Sequence, residues 1–359
     1  MTEEIYRKLA RHLDSLPGGF PPTESGVELR ILRRLFSPDE AELAVHLTLL
    51  PDEPSAVAQR AKIPPEEAAE RLAEMAAKGL IFRMDSQGKP PRYMAAQFVI
   101  GIWEYHVNDL DPELIRDTNE YFPTLFAQKG WKEVPPLRTI PVGRSLTPEV
   151  EVLPYERAEE IVRSQDRFLV APCICRREHA MVGKSCGKPE EICLVFGAGA
   201  DYYRRNGLGR MIGREEALEL LKKAEEAGLV LQPSNSQRAV NICCCCGCCC
   251  QILKAMKAYP KPADLVSSPF VASLDSETCV GCGTCVERCQ MEALRLEDEV
   301  AAFDDERCIG CGLCVSTCPT DSLALIRKPK GEQREVPRNV MEALLKRSKA
   351  RGDQGSPGS

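Results

Sequence analysis

Between residues 279 and 318 one four-cysteine spacing is written twice, and this repeat narrows what that part of the chain can fold into. The first copy is Cys279-Val-Gly-Cys282-Gly-Thr-Cys285-Val-Glu-Arg-Cys289, and the second is Cys308-Ile-Gly-Cys311-Gly-Leu-Cys314-Val-Ser-Thr-Cys318-Pro319. Each cysteine of the first copy recurs 29 residues later, so a whole ligand-bearing unit is duplicated. C-x2-C-x2-C wraps a tight loop that offers three thiolates to one site. Gly281, Gly283, Gly310 and Gly312 let that loop bend and bring backbone N–H groups near sulfur. The fourth thiolate, three residues on, is expected to open a helix pointing toward the other copy.

This is the spacing of paired [4Fe–4S] sites, in which the fourth cysteine serves the other cluster. One cluster is expected on Cys279, Cys282, Cys285 and Cys318, and the second on Cys308, Cys311, Cys314 and Cys289. Zinc ribbons use C-x2-C knuckles separated by a long insert, so the spacing favours iron–sulfur over zinc. Residues 269–328 resemble the two-cluster bacterial-type ferredoxins. The resemblance implies a ferredoxin-like α+β module with pseudo-two-fold symmetry and low-potential one-electron transfer. The chain departs from that family at Gln290, where a proline usually follows the cysteine. Acidic residues crowd the module (Glu277, Glu287, Glu292, Glu297, Asp298, Glu299, Asp304, Asp305, Glu306), as a solvated face or as a docking patch for a basic redox partner.

Eleven of the 19 cysteines lie outside the repeat. Cys173, Cys175, Cys186 and Cys193 form one group, and Cys243, Cys244, Cys245, Cys246, Cys248, Cys249 and Cys250 crowd around Gly247. Neighbouring side chains on a strand diverge, so a subset of these is expected to form a third metal site. Pairs at i, i+2 on a strand, or i, i+3 on a following helix, can converge. Cys173 and Cys175 can reach one metal only if the chain turns between them. Soft thiolates beside an iron–sulfur module favour a third iron–sulfur cluster, with zinc as the alternative. A non-cubane cluster drawing on both groups also fits. Arg176 and Arg177 are placed to raise a cluster's potential or hold an anion.

The rest of the sequence reads as an α+β multidomain chain. Residues 1–97 are expected to be winged-helix-like. Helices are read at Val27–Phe36, from a capping box at Ser37-Pro38-Asp39-Glu40 to about Leu50, at 54–61, and from Pro64, before a hairpin of residues 80–84 and 92–94. The would-be reading helix carries Glu66, Glu67, Glu70 and Glu74 against Arg71 and Lys78, which argues for protein docking over nucleic-acid binding. Residues 98–154 are a helical aromatic-rich segment, starting a helix at Asp111-Pro112 and stopping at Gly130, followed by a proline-dotted connector. Residues 155–268 are a cysteine-rich α/β domain with helices at about 155–165, 189–205, 214–227 and 248–258. A GxG at Gly197 and Gly199 lacks a third glycine and is read as following a helix, so no nucleotide site is assigned. Residues 329–359 are expected to form a C-terminal helix and a disordered tail.

Together with the N-terminal helices, this cysteine order resembles a multidomain family with a 4Fe–4S ferredoxin-type segment, to which no reaction is attached. The chain opens on an acidic Met1-Thr-Glu-Glu with no apolar signal region, has no long apolar run, and carries a net charge of −6. A cytoplasmic iron–sulfur protein passing single electrons to a redox protein partner is the leading expectation. A redox-sensing winged-helix transcription regulator is one alternative. An iron–sulfur reductase or activase, with substrate at the central cluster, is another. No nucleophile–base pair or phosphate loop stands out, so enzymatic activity stays open, as does the oligomeric state.

Overall fold

Apolar residues at three- and four-residue spacing build the first third of the chain as helices. A computed structural model describes residues 2–352, so the glycine- and serine-rich end, 353–359, lies outside the described residues. Helix α1 (Thr2–Ser15), not named from the sequence, buries Tyr6, Leu9 and Leu13 on one face. It is followed by α2 (Val27–Leu35), α3 (Pro38–Ala44), α4 (Pro54–Ala61) and α5 (Pro65–Ala77). The capping box at the start of α3 forms. Ser37 Oγ accepts from the Glu40 N–H at 3.2 Å, and the Glu40 carboxylate accepts from the Ser37 N–H at 2.8 Å. The helix ends at Ala44 rather than near Leu50, and the chain turns so that Leu47 is still buried. Helix α5 buries Ala68, Leu72, Met75 and Ala76. Strands β1 (Ile81–Met84) and β2 (Arg92–Ala95) then pair as an antiparallel hairpin.

The next segment joins this helical unit to the central sheet. A single turn, α6 (Trp103–Tyr105), precedes α7 (Pro112–Phe126), which Asp111 caps by accepting from the Glu113 and Leu114 N–H groups. The helix ends at Phe126, and Gly130 sits inside a further short helix, α8 (Lys129–Glu133), rather than terminating the first. The aromatics build core. Phe20 packs on Phe98 and Tyr121 with ring centroids 5.2 and 4.8 Å apart. That core continues beyond residue 154, through Leu169, Ala171 and Tyr202. The Tyr202 hydroxyl reaches back to the carbonyls of Ala76 at 3.0 Å and Ile81 at 2.9 Å.

The central region comprises α9 (Ala158–Arg163), β3 (Phe168–Pro172), α10 (Ile174–Met181), β4 (Glu191–Phe196), α11 (Gly197–Arg205), β5 (Arg210–Ile212), α12 (Arg214–Glu226), β6 (Val230–Pro233), β7 (Asn241–Cys245) and α13 (Gln251–Lys257). Its five strands form one antiparallel sheet in the order β5-β3-β4-β7-β6. The helix expected over 189–205 is instead strand β4 followed by α11. Ile192, Leu194 and Phe196 are buried while Glu191, Cys193 and Val195 are less so, a period of two that suits a strand. A strand therefore does precede the GxG. The sheet there is antiparallel and residue 202 is tyrosine, so the dinucleotide pattern is still not met.

The C-terminal part has β8 (Phe270–Leu274), α14 (Thr284–Arg288), β9 (Leu294–Glu297), β10 (Val300–Phe303) and β11 (Leu323–Arg327), then α15 (Val340–Ala350). Strands β8 and β11 pair antiparallel, as do β9 and β10. The two ribbons hold equivalent places against the two cysteine loops. A side chain at Gly281 would strike the Glu299 carbonyl in the β9–β10 turn, and one at Gly310 would strike the Phe270 carbonyl of β8. No described helix is long and apolar enough to cross a membrane.

Candidate metal centres

The two repeat loops owe their shape to backbone that only glycine adopts easily. Gly281, Gly283, Gly310 and Gly312 have φ values of 65°, 75°, 68° and 72°, all left-handed. The loops curl their cysteines inward around two small cavities of about 20 Å³ each. Cys279, Cys282, Cys285 and Cys318 line one, and Cys289, Cys308, Cys311 and Cys314 line the other. Each thiol set thus takes its fourth member from the opposite loop. Backbone N–H groups of Ala301, Ala293 and Ala272 reach the sulfurs of Cys279, Cys289 and Cys308 at 3.4, 3.2 and 3.5 Å. Four inward thiols, positive-φ glycines and N–H donors to sulfur fit a [4Fe–4S] cluster in each cradle.

The two cradles differ in exposure. Cys282 is exposed and neighbouring Val280 is 63% exposed. The Thr284 hydroxyl and N–H lower the Cys282 thiol below its ordinary value. In the other cradle burial dominates, pushing Cys308 and Cys314 up and Cys311 up to about 12. Cys289 and Cys311 pack against the apolar core of the central domain.

Gln290, the residue that departs from the ferredoxin pattern, lies at the junction. Its side-chain carbonyl accepts from the Gly247 N–H at 2.8 Å, and its backbone carbonyl lies where a Cβ on Gly247 would be. The residue after Cys289 therefore touches the middle of the central cysteine run. Arg288 ties the same junction to the end of α12 through the Glu225 and Glu226 carbonyls, at 2.7 and 2.9 Å. The Val142 N–H of the connector donates to the Cys311 carbonyl at 3.0 Å.

The central cysteines separate into two groups that cut across their order in the chain. Cys186, Cys246, Cys248 and Cys249 have all four sulfurs within 4.8 Å of one another. Cys248 and Cys249 are 3.8 Å apart. Four thiolates around one tetrahedral ion with metal–sulfur bonds of about 2.3 Å are about 3.8 Å apart, so this set fits a single metal ion. Among the described residues the ferredoxin-type cysteines form no group this tight, and a cube of irons and sulfides holds its thiolates farther apart.

The second group is a ring. Cys173 neighbours Cys175 and Cys193. Cys243 neighbours Cys193 and Cys245, and Cys250 neighbours Cys175 and Cys245, which closes six thiols into a cycle. Hydrogen bonding from two neighbours lowers Cys173 and Cys250 well below an ordinary thiol and brings Cys243 to about 5. The intervening donors, Cys175, Cys193 and Cys245, are pushed well up. Local structure explains the convergence. Helix α10 begins at Ile174, so the chain turns between Cys173 and Cys175 and both face the ring. Cys243 and Cys245 share one face of β7, while Cys244 points away, buried and outside both groups. The set of four read along the chain is split. Strand β4 carries Cys193 to the ring, and Cys186, in the loop before it, joins the tight group.

Arg176 lies between the two groups. It is buried, donates to the Cys244 carbonyl at 3.1 Å and approaches Cys246 Sγ at 3.7 Å. The charges of Cys173, Cys193 and Cys246 favour its protonated form against the cost of burial. Its Nε has no protein partner. Arg177 turns elsewhere, to Glu190, the Val107 carbonyl and Asn108. Gln251, next to Cys250, ties α13 to α10 and α7, donating to Glu178 at 2.5 Å and to the Asn119 side-chain carbonyl at 2.7 Å. Neither Gln251 nor Asn119 was legible as functional, because their roles depend on α7, α10 and α13 meeting.

A cavity of about 460 Å³ adjoins the ring, lined by all six of its cysteines together with Ile100, Trp103, Glu104, Tyr105 and Tyr203. Burial pushes the Glu104 carboxyl up to about 8, and it accepts from the Gly101 N–H at 2.8 Å. Comparison with curated proteins finds no match, and neither does comparison with solved structures. Against protein families, the model described as "4Fe-4S dicluster domain" matches residues 272–325. The chain therefore carries a C-terminal 4Fe–4S ferredoxin-type module with an iron–sulfur cofactor.

Proposed function

We propose that this is an iron–sulfur electron-transfer protein in which the C-terminal module passes single electrons between an external redox partner and the central thiol sites. The reading rests on the seating of Gln290, beside Cys289, against Gly247 in the central cysteine run. Two [4Fe–4S] clusters would be held by Cys279, Cys282, Cys285 and Cys318, and by Cys289, Cys308, Cys311 and Cys314; when bound they supply one-electron redox chemistry. The chain's own residues set the direction. Exposed Cys282 and Val280 make the first cradle the outer contact, and the buried second cradle faces inward. Cys186, Cys246, Cys248 and Cys249 would hold one tetrahedral ion as a closed four-thiolate site, which braces the junction.

The N-terminal helices and hairpin are assigned to protein docking. Glu66, Glu67, Glu70 and Glu74 of α5 would meet phosphates with like charge. Salt-sensitive binding to DNA would overturn that assignment.

The test is iron, zinc and acid-labile sulfide per chain on anaerobically purified protein, with electron paramagnetic resonance after dithionite. The module alone accounts for about eight irons with matching sulfide and reducible cubane signals. A chain without labile sulfide after anaerobic reconstitution, or with signals that dithionite does not change, would overturn the reading.

A further inference from the structure

We propose that the ring of Cys173, Cys175, Cys193, Cys243, Cys245 and Cys250 is a separate site for a polynuclear iron–sulfur cluster that is not a single cubane. The inference deepens the electron-transfer reading and rests on it for the source of electrons, but its observations are its own.

The first observation is number and connectivity. A tetrahedral ion or one cubane takes four thiolates. Here six thiols, brought from β4, β7 and the starts of α10 and α13, line one cavity. Using all six calls for more metal sites than a cube provides, or for thiolates that bridge. The tight group nearby is complete without them and shares none of its four cysteines with the ring.

The second is size. The ferredoxin-type cradles enclose about 20 Å³ each, whereas the cavity at the ring holds about 460 Å³. Close-packed interiors carry few voids larger than a water molecule, and cavities of roughly 300–1,000 Å³ are of ligand-site size. The six thiols thus line one end of a cavity that runs on to Leu49, Met84 and Leu344, whereas each ferredoxin-type cradle closes around its own four thiols.

The third is charge. Six thiolates gathered in an apolar interior would repel strongly, and buried Arg176, whose charge Cys173 and Cys193 favour, is hydrogen-bonded to the Cys244 carbonyl and directed at Cys246 of the other group. A cluster of several irons supplies the positive charge that lets all six ionise. Softness argues for metals that prefer thiolate, and the adjoining module argues for iron and sulfide. The sequence is organised for the purpose. Strand alternation aims Cys243 and Cys245 together, the start of α10 turns Cys173 and Cys175 inward, and the start of α13 adds Cys250.

The experiment uses the full chain, prepared anaerobically, as wild type, Cys193→Ser/Cys243→Ser, Cys248→Ser and Cys244→Ala. Iron, zinc and labile sulfide are counted, and Mössbauer spectra are recorded. The ring variant is expected to lose about four irons or more with matching sulfide and a spectral component distinct from cubanes, while the module's cubane signals persist. Cys248→Ser is expected to lose about one metal ion and no sulfide, and Cys244→Ala to lose nothing. Unchanged iron in the ring variant, or loss of zinc without sulfide, would overturn the proposal. So would loss of the same metal from the ring variant and Cys248→Ser. If the ring variant fails to fold, the wild-type spectrum decides: iron confined to cubane and mononuclear components contradicts the proposal. Absence of cubane signals from every chain would instead break the electron-transfer reading.

Discussion

In the C-terminal module each loop of seven residues delivers three of four thiols to one cradle, as with Cys279, Cys282 and Cys285. In the central domain the tight group also takes three of its four thiols from one short stretch, Cys246 to Cys249, but the six-thiol ring is assembled from the starts of α10 and α13 and from β4 and β7. The module builds its sites by backbone conformation, with glycine and N–H groups shaping a local loop. The central domain builds its ring by tertiary packing, with strand pairing and helix docking bringing distant residues together. Local sites should therefore survive changes elsewhere in the chain, and the ring should respond to changes in the strands and helices that assemble it.

The largest effect expected on that contrast is Cys314→Ser. It should remove about four irons and one cubane signal, leaving the central metal content unchanged by elemental analysis. Loss of metal from both regions would mean that the central sites depend on the module. Next is Gly247→Val, whose side chain would collide with the Gln290 backbone. It should destabilise the chain by about 1–3 kcal/mol in denaturant titration and expose the junction to limited proteolysis, with both cubane signals kept. Gln290→Pro restores the ferredoxin-like residue while removing the acceptor of the Gly247 N–H. A cost of about 1 kcal/mol is expected, with a redox titration showing a larger shift for the cluster on Cys289 than for the one on Cys279. Equal shifts would break the assignment of Cys289 to the inward cluster. The smallest effect is Ser37→Ala, which removes a helix cap far from both regions. About 1 kcal/mol of stability should go, with metal content and spectra unchanged.

The same contrast explains what the sequence made legible. The grouping of the ferredoxin-type thiols around two cradles could be written down from spacing, because the physics that gathers them lies within each loop and its copy. The helices at 54–61 and, within a residue, from Pro64 were readable from periodicity and proline placement. The central sites were not. Reading residues 189–205 as one helix hid strand β4, and without β4 there was no reason to part Cys193 from Cys186. The signal was present in Glu191-Ile-Cys-Leu-Val-Phe, whose alternation suits a strand, but the glycines after it blurred the boundary with α11. Strand β7 runs on through Cys245, into the cysteine run itself. That places Cys243 and Cys245 on one face and sets Cys244 apart. Glu104, Asn119 and Gln251 were invisible as site residues, because only packing between helices and sheet brings them there. Gln290 was visible as a departure from pattern, and its contact with Gly247 supplies the reason.

The central claim, that the module delivers electrons to the thiol-bound centre of the central domain, is tested most directly by the paramagnetic resonance spectrum of the fully dithionite-reduced chain. It should be recorded for the wild type and for Cys193→Ser/Cys243→Ser under identical conditions. The account predicts that the signal of the inward cubane is broadened by a reduced neighbour in the wild type and sharpens in the variant, with the outer cubane unchanged. Superimposable spectra from the two chains would contradict it.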